Sequence, residues 1–97
     1  PLKYMMLEGK DVGDNGFKGA IVRLSKNCAD INLNDRFDVM TNLKMNLVDV
    51  DEKLSVRGFY GKVIRYTDGM ENCHQVHFTA IPPEVDAYFQ AMRQFSE

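Results

Sequence analysis

The hydrophobic period of this chain changes at Ile81-Pro82-Pro83. Beyond that point Val85, Tyr88, Phe89, Met92 and Phe95 recur at spacings of three and four, one face of an amphipathic helix of about three and a half turns. The two prolines stop an extended segment and set the helix start, where Glu84 and Asp86 face the positive end of its dipole. Before the prolines, short apolar runs alternate with polar residues or carry β-branched residues, and glycine, asparagine and aspartate punctuate them. One helix and several short strands in 97 residues leave room for one hydrophobic core. Residues 1–97 therefore read as a single domain, mainly β: a small antiparallel β-barrel of about six strands with the C-terminal amphipathic helix over its open mouth.

The strands follow from the punctuation. Leu2 to Leu7 is rich in apolar residues, and Gly9 to Gly16 has the composition of a turn that needs positive φ. Phe17 to Leu24 reads as a strand with Gly19 as a bulge position. After a polar turn at Ser25–Asn27, Ile31 and Leu33 alternate with Asp30 and Asn32. Asn34 to Asn42 reads as irregular, a loop or one helical turn. Leu43, Met45 and Leu47 alternate with Lys44 and Asn46, an acidic turn spans Asp49 to Lys53, and a long strand from Leu54 to Thr67 bends at Gly58 and Gly61. Asp68-Gly69 turns the chain into a last strand, His74 to Thr79.

Composition narrows the function classes. The formal net charge is −2, and the basic residues are scattered, whereas nucleic acid or an acidic membrane surface attracts a protein through a dense basic cluster. No apolar run reaches the roughly 20 residues that span a bilayer, and no signal-peptide pattern is present. These features read as a cytoplasmic domain with no nucleic-acid partner and no direct membrane insertion. Cys28 and Cys73 lie far apart in a chain large enough to need no disulfide framework, and read as reduced thiols in or near the core. Pro1 reads as a processed product or a segment of a longer chain.

Four constellations invite chemistry. Cys28, Cys73, His74 and His77 are zinc-ligand types, but adjacent strand residues point to opposite faces, so Cys73 and His74 diverge, as do His74 and His77. The expected arrangement is one inward thiol and surface histidines, with no metal. Ser25, Cys28 or Cys73 with His74 or His77 as base lie in no activating motif, and Asp49 with Asp51 falls in a solvated turn, so no catalytic residue is assigned. Gly13-Asp14-Asn15-Gly16 is neither a Walker loop nor a dinucleotide fingerprint and reads as a hairpin turn.

The run Gly19 to Ile31 remains. A strand ends there in a polar turn, exposing backbone N–H groups and the Ser25 hydroxyl at a barrel rim, with Arg23, Lys26 and Asn27 as further donors. Phosphate or guanine chemistry suits such a rim, and a charged hairpin facing solvent has the same composition.

The order of elements resembles the PilZ domain, the bacterial receptor module for cyclic di-GMP. The resemblance covers most of the chain and rests on the strand into the Ser25 turn, the Leu43–Leu47 alternation, Gly61-Lys62-Val63-Ile64-Arg65-Tyr66, and His74-Gln75-Val76-His77-Phe78 followed by Ile81-Pro82-Pro83-Glu84-Val85 and a helix. It implies a helix-closed barrel, no cofactor, cyclic di-GMP as ligand, and regulation of a protein partner or adjacent domain. The family's ligand motif, Asp or Asn, any residue, Ser, any two residues, Gly, falls on Arg23, Ser25 and Cys28. Only the serine is kept: Arg23 is a donor-only guanidinium in place of an acceptor, and Cys28 brings a Cβ where glycine permits close approach. Gln75 replaces a small residue. The family's second motif, two arginines four apart ahead of the first strand, is filled by no residue of this chain. Two further readings fit the same barrel: an adaptor that works without a nucleotide, and a small Cys/His metal-binding or enzymatic barrel.

Overall fold

The computed structural model describes residues 5–48 and 58–96. Six strands precede one helix: β1 (Met5–Asp11), β2 (Gly16–Leu24), β3 (Cys28–Leu33), β4 (Asn42–Leu47), β5 (Phe59–Tyr66), β6 (Cys73–Ala80) and α1 (Pro83–Ser96). The strands close into a barrel in the order β1-β2-β3-β6-β5-β4, every neighbouring pair antiparallel and β4 returning to β1. Closure leaves no open sheet edge among the described strands for a foreign strand to join.

Alternation decides what faces inward. Leu7, Phe17, Ile21, Ile31, Leu33, Leu43, Met45, Leu47, Phe59, Val63 and Val76 fill the interior, while Glu8, Lys18, Asn32 and Lys44 stand between them on the exposed face. Cross-strand register brings the apolar set together: Leu7 faces Leu47, Ile21 faces Ile31, and Val63 faces Val76. A one-residue slip would turn each strand's apolar side to water, so burial of this face fixes the register. Irregular steps between Ile21 and Arg23, Tyr60 and Gly61, and Val63 and Arg65 bend the wall, as closure of a small barrel requires.

The first connection is shorter than the glycine-rich composition suggests. β1 runs on to Asp11 and β2 begins at Gly16, so Gly9 lies inside a strand, opposite Phe17 and Met45. A Cβ at Gly9 would collide with the main-chain oxygen of Lys44; this glycine serves close approach rather than a turn. Asp11 organises the remaining turn, its Oδ1 accepting from the N–H groups of Gly13 (2.8 Å) and Asn15 (3.0 Å). These bonds, with that to Asn15 foremost, hold its carboxyl below the ordinary range. Asp14 takes a φ of 63° in the turn, as aspartate tolerates there. The expected long strand starts at Phe59 where it is described; Leu2–Tyr4, the acidic turn and Leu54–Arg57 lie outside the described residues.

The two ends of the barrel are closed differently. At one end α1 buries Val85 and Phe89. Phe89 stacks on Phe78 with centroids 5.3 Å apart and meets Phe59 edge-on at 5.4 Å. Tyr88 packs partly against this group, and the Phe95 side chain lies outside the described residues. At the other end the 34–41 segment is a loop without a helical turn, and its Phe37 packs edge-on against Phe17 at 5.3 Å and against His74 at 6.0 Å.

His74 corrects the expectation of surface histidines. It points into the barrel, opposite Ile31 and Tyr66, and is fully buried. Nδ1 donates to the Asn72 carbonyl at 2.8 Å, and Nε2 accepts from the Phe37 N–H at 2.9 Å. Those partners satisfy both nitrogens of a neutral ring. Burial, aided by the Arg36 charge, holds its pKa below the ordinary 6.5 against the pull of the Asn72 and Ile31 main chains. Arg36 itself lies 3.9 Å over the Tyr66 ring.

Candidate functional site at the Ser25 turn

β2 ends and β3 begins at the helix-capped end, with Ser25 to Asn27 between them. The Ser25 N–H donates to the Cys28 carbonyl at 2.8 Å, closing the hairpin. The Asn27 carbonyl accepts from the Phe78 N–H at 2.8 Å, which ties the turn to β6. The Ser25 hydroxyl and the N–H groups of Lys26 and Asn27 have no partner among the described residues, and all three residues are exposed. Two consecutive amides and a hydroxyl at a tight turn suit an anionic or carbonyl oxygen. The sequence expectation is thus met by the next two amides, while that of Ser25 is engaged inside the hairpin.

The structure gathers all three motif positions at this rim. The irregular step after Ile21 makes Arg23 the partner of Asp30, and Arg23 Nε lies 3.8 Å from Asp30 Oδ2. The Arg23 side chain is 78% exposed, so this ion pair is screened and leaves the guanidinium accessible to a ligand. Asp30 also accepts from Thr67 Oγ1 at 3.1 Å. Cys28 is half-buried and free.

Cross-strand register adds residues that spacing in the chain does not reveal. Cys28 faces His77, and His77 faces Lys62; Asp30 faces Gln75, and Gln75 faces Arg65. Alternation sets both rows on the outer wall beside the turn, so three cations, Arg23, Lys62 and Arg65, and one carboxylate, Asp30, share these neighbouring rows, with Arg23 alone paired to Asp30. The charges are scattered in sequence and gathered by the sheet. The helix joins the site as well: Arg93 Nη1 donates to the Ser25 carbonyl at 3.4 Å. Anything that moves the turn therefore meets the last described turn of α1.

Metal and nucleophile readings fare differently at their separate residues. Cys28 and His77 are neighbours on the outer wall, His74 is inside the barrel, and Cys73 is buried where β6 begins. No group of three or more metal-ligating side chains occurs among the described residues. Both His74 nitrogens are engaged in holding main chain, which removes it as a general base.

Fold and site define a helix-capped, closed six-stranded barrel with a donor-rich hairpin turn against the helix. The chain matches no family model, no curated protein and no solved structure. No helix among the described residues is long and apolar enough to cross a membrane.

Proposed function

We propose that this chain is a PilZ-like signalling module that regulates a protein partner or adjacent domain in the cytoplasm, with the Ser25 turn as its ligand site and cyclic di-GMP as the ligand to test first. The observation that carries the reading is the contact between Ser25 and Arg93, which couples the turn at the family's motif position to the helix. A ligand that bound one arrangement of turn and helix more tightly would shift the population toward it, and the helix surface would change for a partner. The unpartnered amides of Lys26 and Asn27 would receive phosphate oxygen. Lys62 and Arg65 would supply the surrounding positive charge.

The nucleotide-independent adaptor is favoured by a specific observation of its own. Arg23 already pairs with Asp30, and nothing at its position accepts a hydrogen bond from guanine. Calorimetric titration with cyclic di-GMP separates the two. The receptor reading expects saturable heat, a loss of about three- to tenfold in affinity for Ser25→Ala, equivalent to one hydrogen bond, and tighter binding for Arg23→Asp, which restores an acceptor. Absence of heat from the parent and from Arg23→Asp alike would leave the adaptor.

A further inference from the structure

We propose that the outer face of β2, β1 and β4 carries a second site, an anion-binding groove for a small phosphorylated ligand. It lies at the other end of β2 from the Ser25 turn and does not depend on the function proposed for that turn. The groove is open to solvent and has a volume of about 610 Å³, within the roughly 300–1,000 Å³ of small-molecule sites.

Its charge arrangement is unfavourable for a bare sheet. Lys10 and Lys44 are direct partners across the β1–β4 pair, on the exposed face, where like charges repel and an opposite charge would stabilise. The third member of that row is Gly16; a Cβ there would meet one atom, at 3.9 Å, so the floor beside Lys10 is open. Lys18 adds a third ammonium from the next row, where its direct partner is Glu8, the groove's one carboxylate. None of these lysines has an ion-pair partner among the described residues.

A positioned neutral donor completes the edge. Asn34 Oδ1 accepts from the Lys18 N–H at 2.9 Å, and the Asn34 N–H donates to the Lys18 carbonyl at 3.0 Å. With its carbonyl oxygen engaged, the Asn34 side chain offers its NH2 group, which has no partner among the described residues. A phosphate bridging Lys10 and Lys44 would relieve their repulsion and accept charge-assisted hydrogen bonds. Glu8 and Asn34 then face the hydroxyl-bearing remainder of the ligand.

The test is a titration of the ¹⁵N-labelled chain with ribose 5-phosphate, with ribose as the uncharged control. The proposal expects saturable shifts centred on Lys10, Gly16, Lys18 and Lys44, a Kd of about 1 mM or tighter, and weakening as salt is raised. Lys44→Gln and Lys10→Gln should each weaken binding about tenfold, the equivalent of one charge-assisted contact, while Lys44→Arg retains it. Both glutamine variants sit on exposed wall and should melt no lower than the parent, which separates loss of charge from loss of fold. Shifts that fail to saturate, equal shifts with ribose, or a Lys44→Gln chain that titrates like the parent would overturn the site.

Discussion

The helix-capped end and the Phe37-plugged end solve the same problem with different chemistry. At the first, Phe89 against Phe59 and Phe78, with the buried Val85, seals the interior, and none of these four side chains is ionisable. At the second, a half-buried phenylalanine is held by one histidine whose two nitrogens bind main-chain groups on either side. Apolar burial is indifferent to protons, whereas a neutral imidazole that accepts a hydrogen bond loses that bond when it is protonated. The barrel therefore has one end whose closure is independent of pH and one whose closure is not.

The largest expected effect lies at the capped end. Phe89→Ala removes a fully buried ring and should destabilise the chain by about 3–5 kcal/mol in denaturant unfolding, without altering how stability depends on pH. An intermediate loss of about 1–3 kcal/mol would come from His74→Leu, because the Phe37 N–H would lose its acceptor, whereas the Asn72 carbonyl keeps the Leu33 N–H.

The proton dependence has a definite sign. The folded pKa of His74 lies below the unfolded value near 6.5, so between the two the unfolded chain binds more protons and stability rises with pH. The contribution is fully present above about pH 6.5 and is lost as pH falls from there through the lowered folded pKa. His74→Leu should remove this part of the slope, and Phe89→Ala should keep it; the reverse outcome would break the contrast between the ends. Phe37→Ala, at a half-buried position, should cost less than Phe89→Ala and increase hydrogen exchange in the 34–41 loop. Smallest of all, Arg23→Ala should shift stability by only about 0–1 kcal/mol, as an exposed ion pair does, and so can be used to probe ligand binding without a folding penalty.

The same contrast explains what could be read from the sequence. The capped end was legible because Val85, Phe89 and their neighbours repeat at helical spacing after two prolines. Inward alternation also identified most strands, and the polar turn at Ser25 was visible because its composition interrupts two apolar runs. The plugged end was not legible: Phe37 shares its loop with Val39 and Met40, which stay exposed, and its packing on Phe17 and His74 depends on contacts across the barrel. His74 looked like a surface residue because its partners are main-chain groups, which leave no mark in a sequence. Gly9 has the sequence context of a turn for a similar reason, since the Lys44 oxygen that excludes a Cβ is remote in the chain. At the site, Arg23, Ser25 and Cys28 come from the resemblance to the PilZ ligand motif. His77, Lys62 and Arg65 come beside them only through register, and Arg93 only through docking of the helix.

The proposed function lies at the capped end, where turn and helix meet, and that proposal can be followed amide by amide. In a titration of the ¹⁵N-labelled chain with cyclic di-GMP, the account predicts saturable shifts at Ser25 to Cys28 that spread to the helix around Arg93, while the amide of Phe37 stays in place. No saturable shift at the turn, or shifts confined to the Phe37 end, would contradict it.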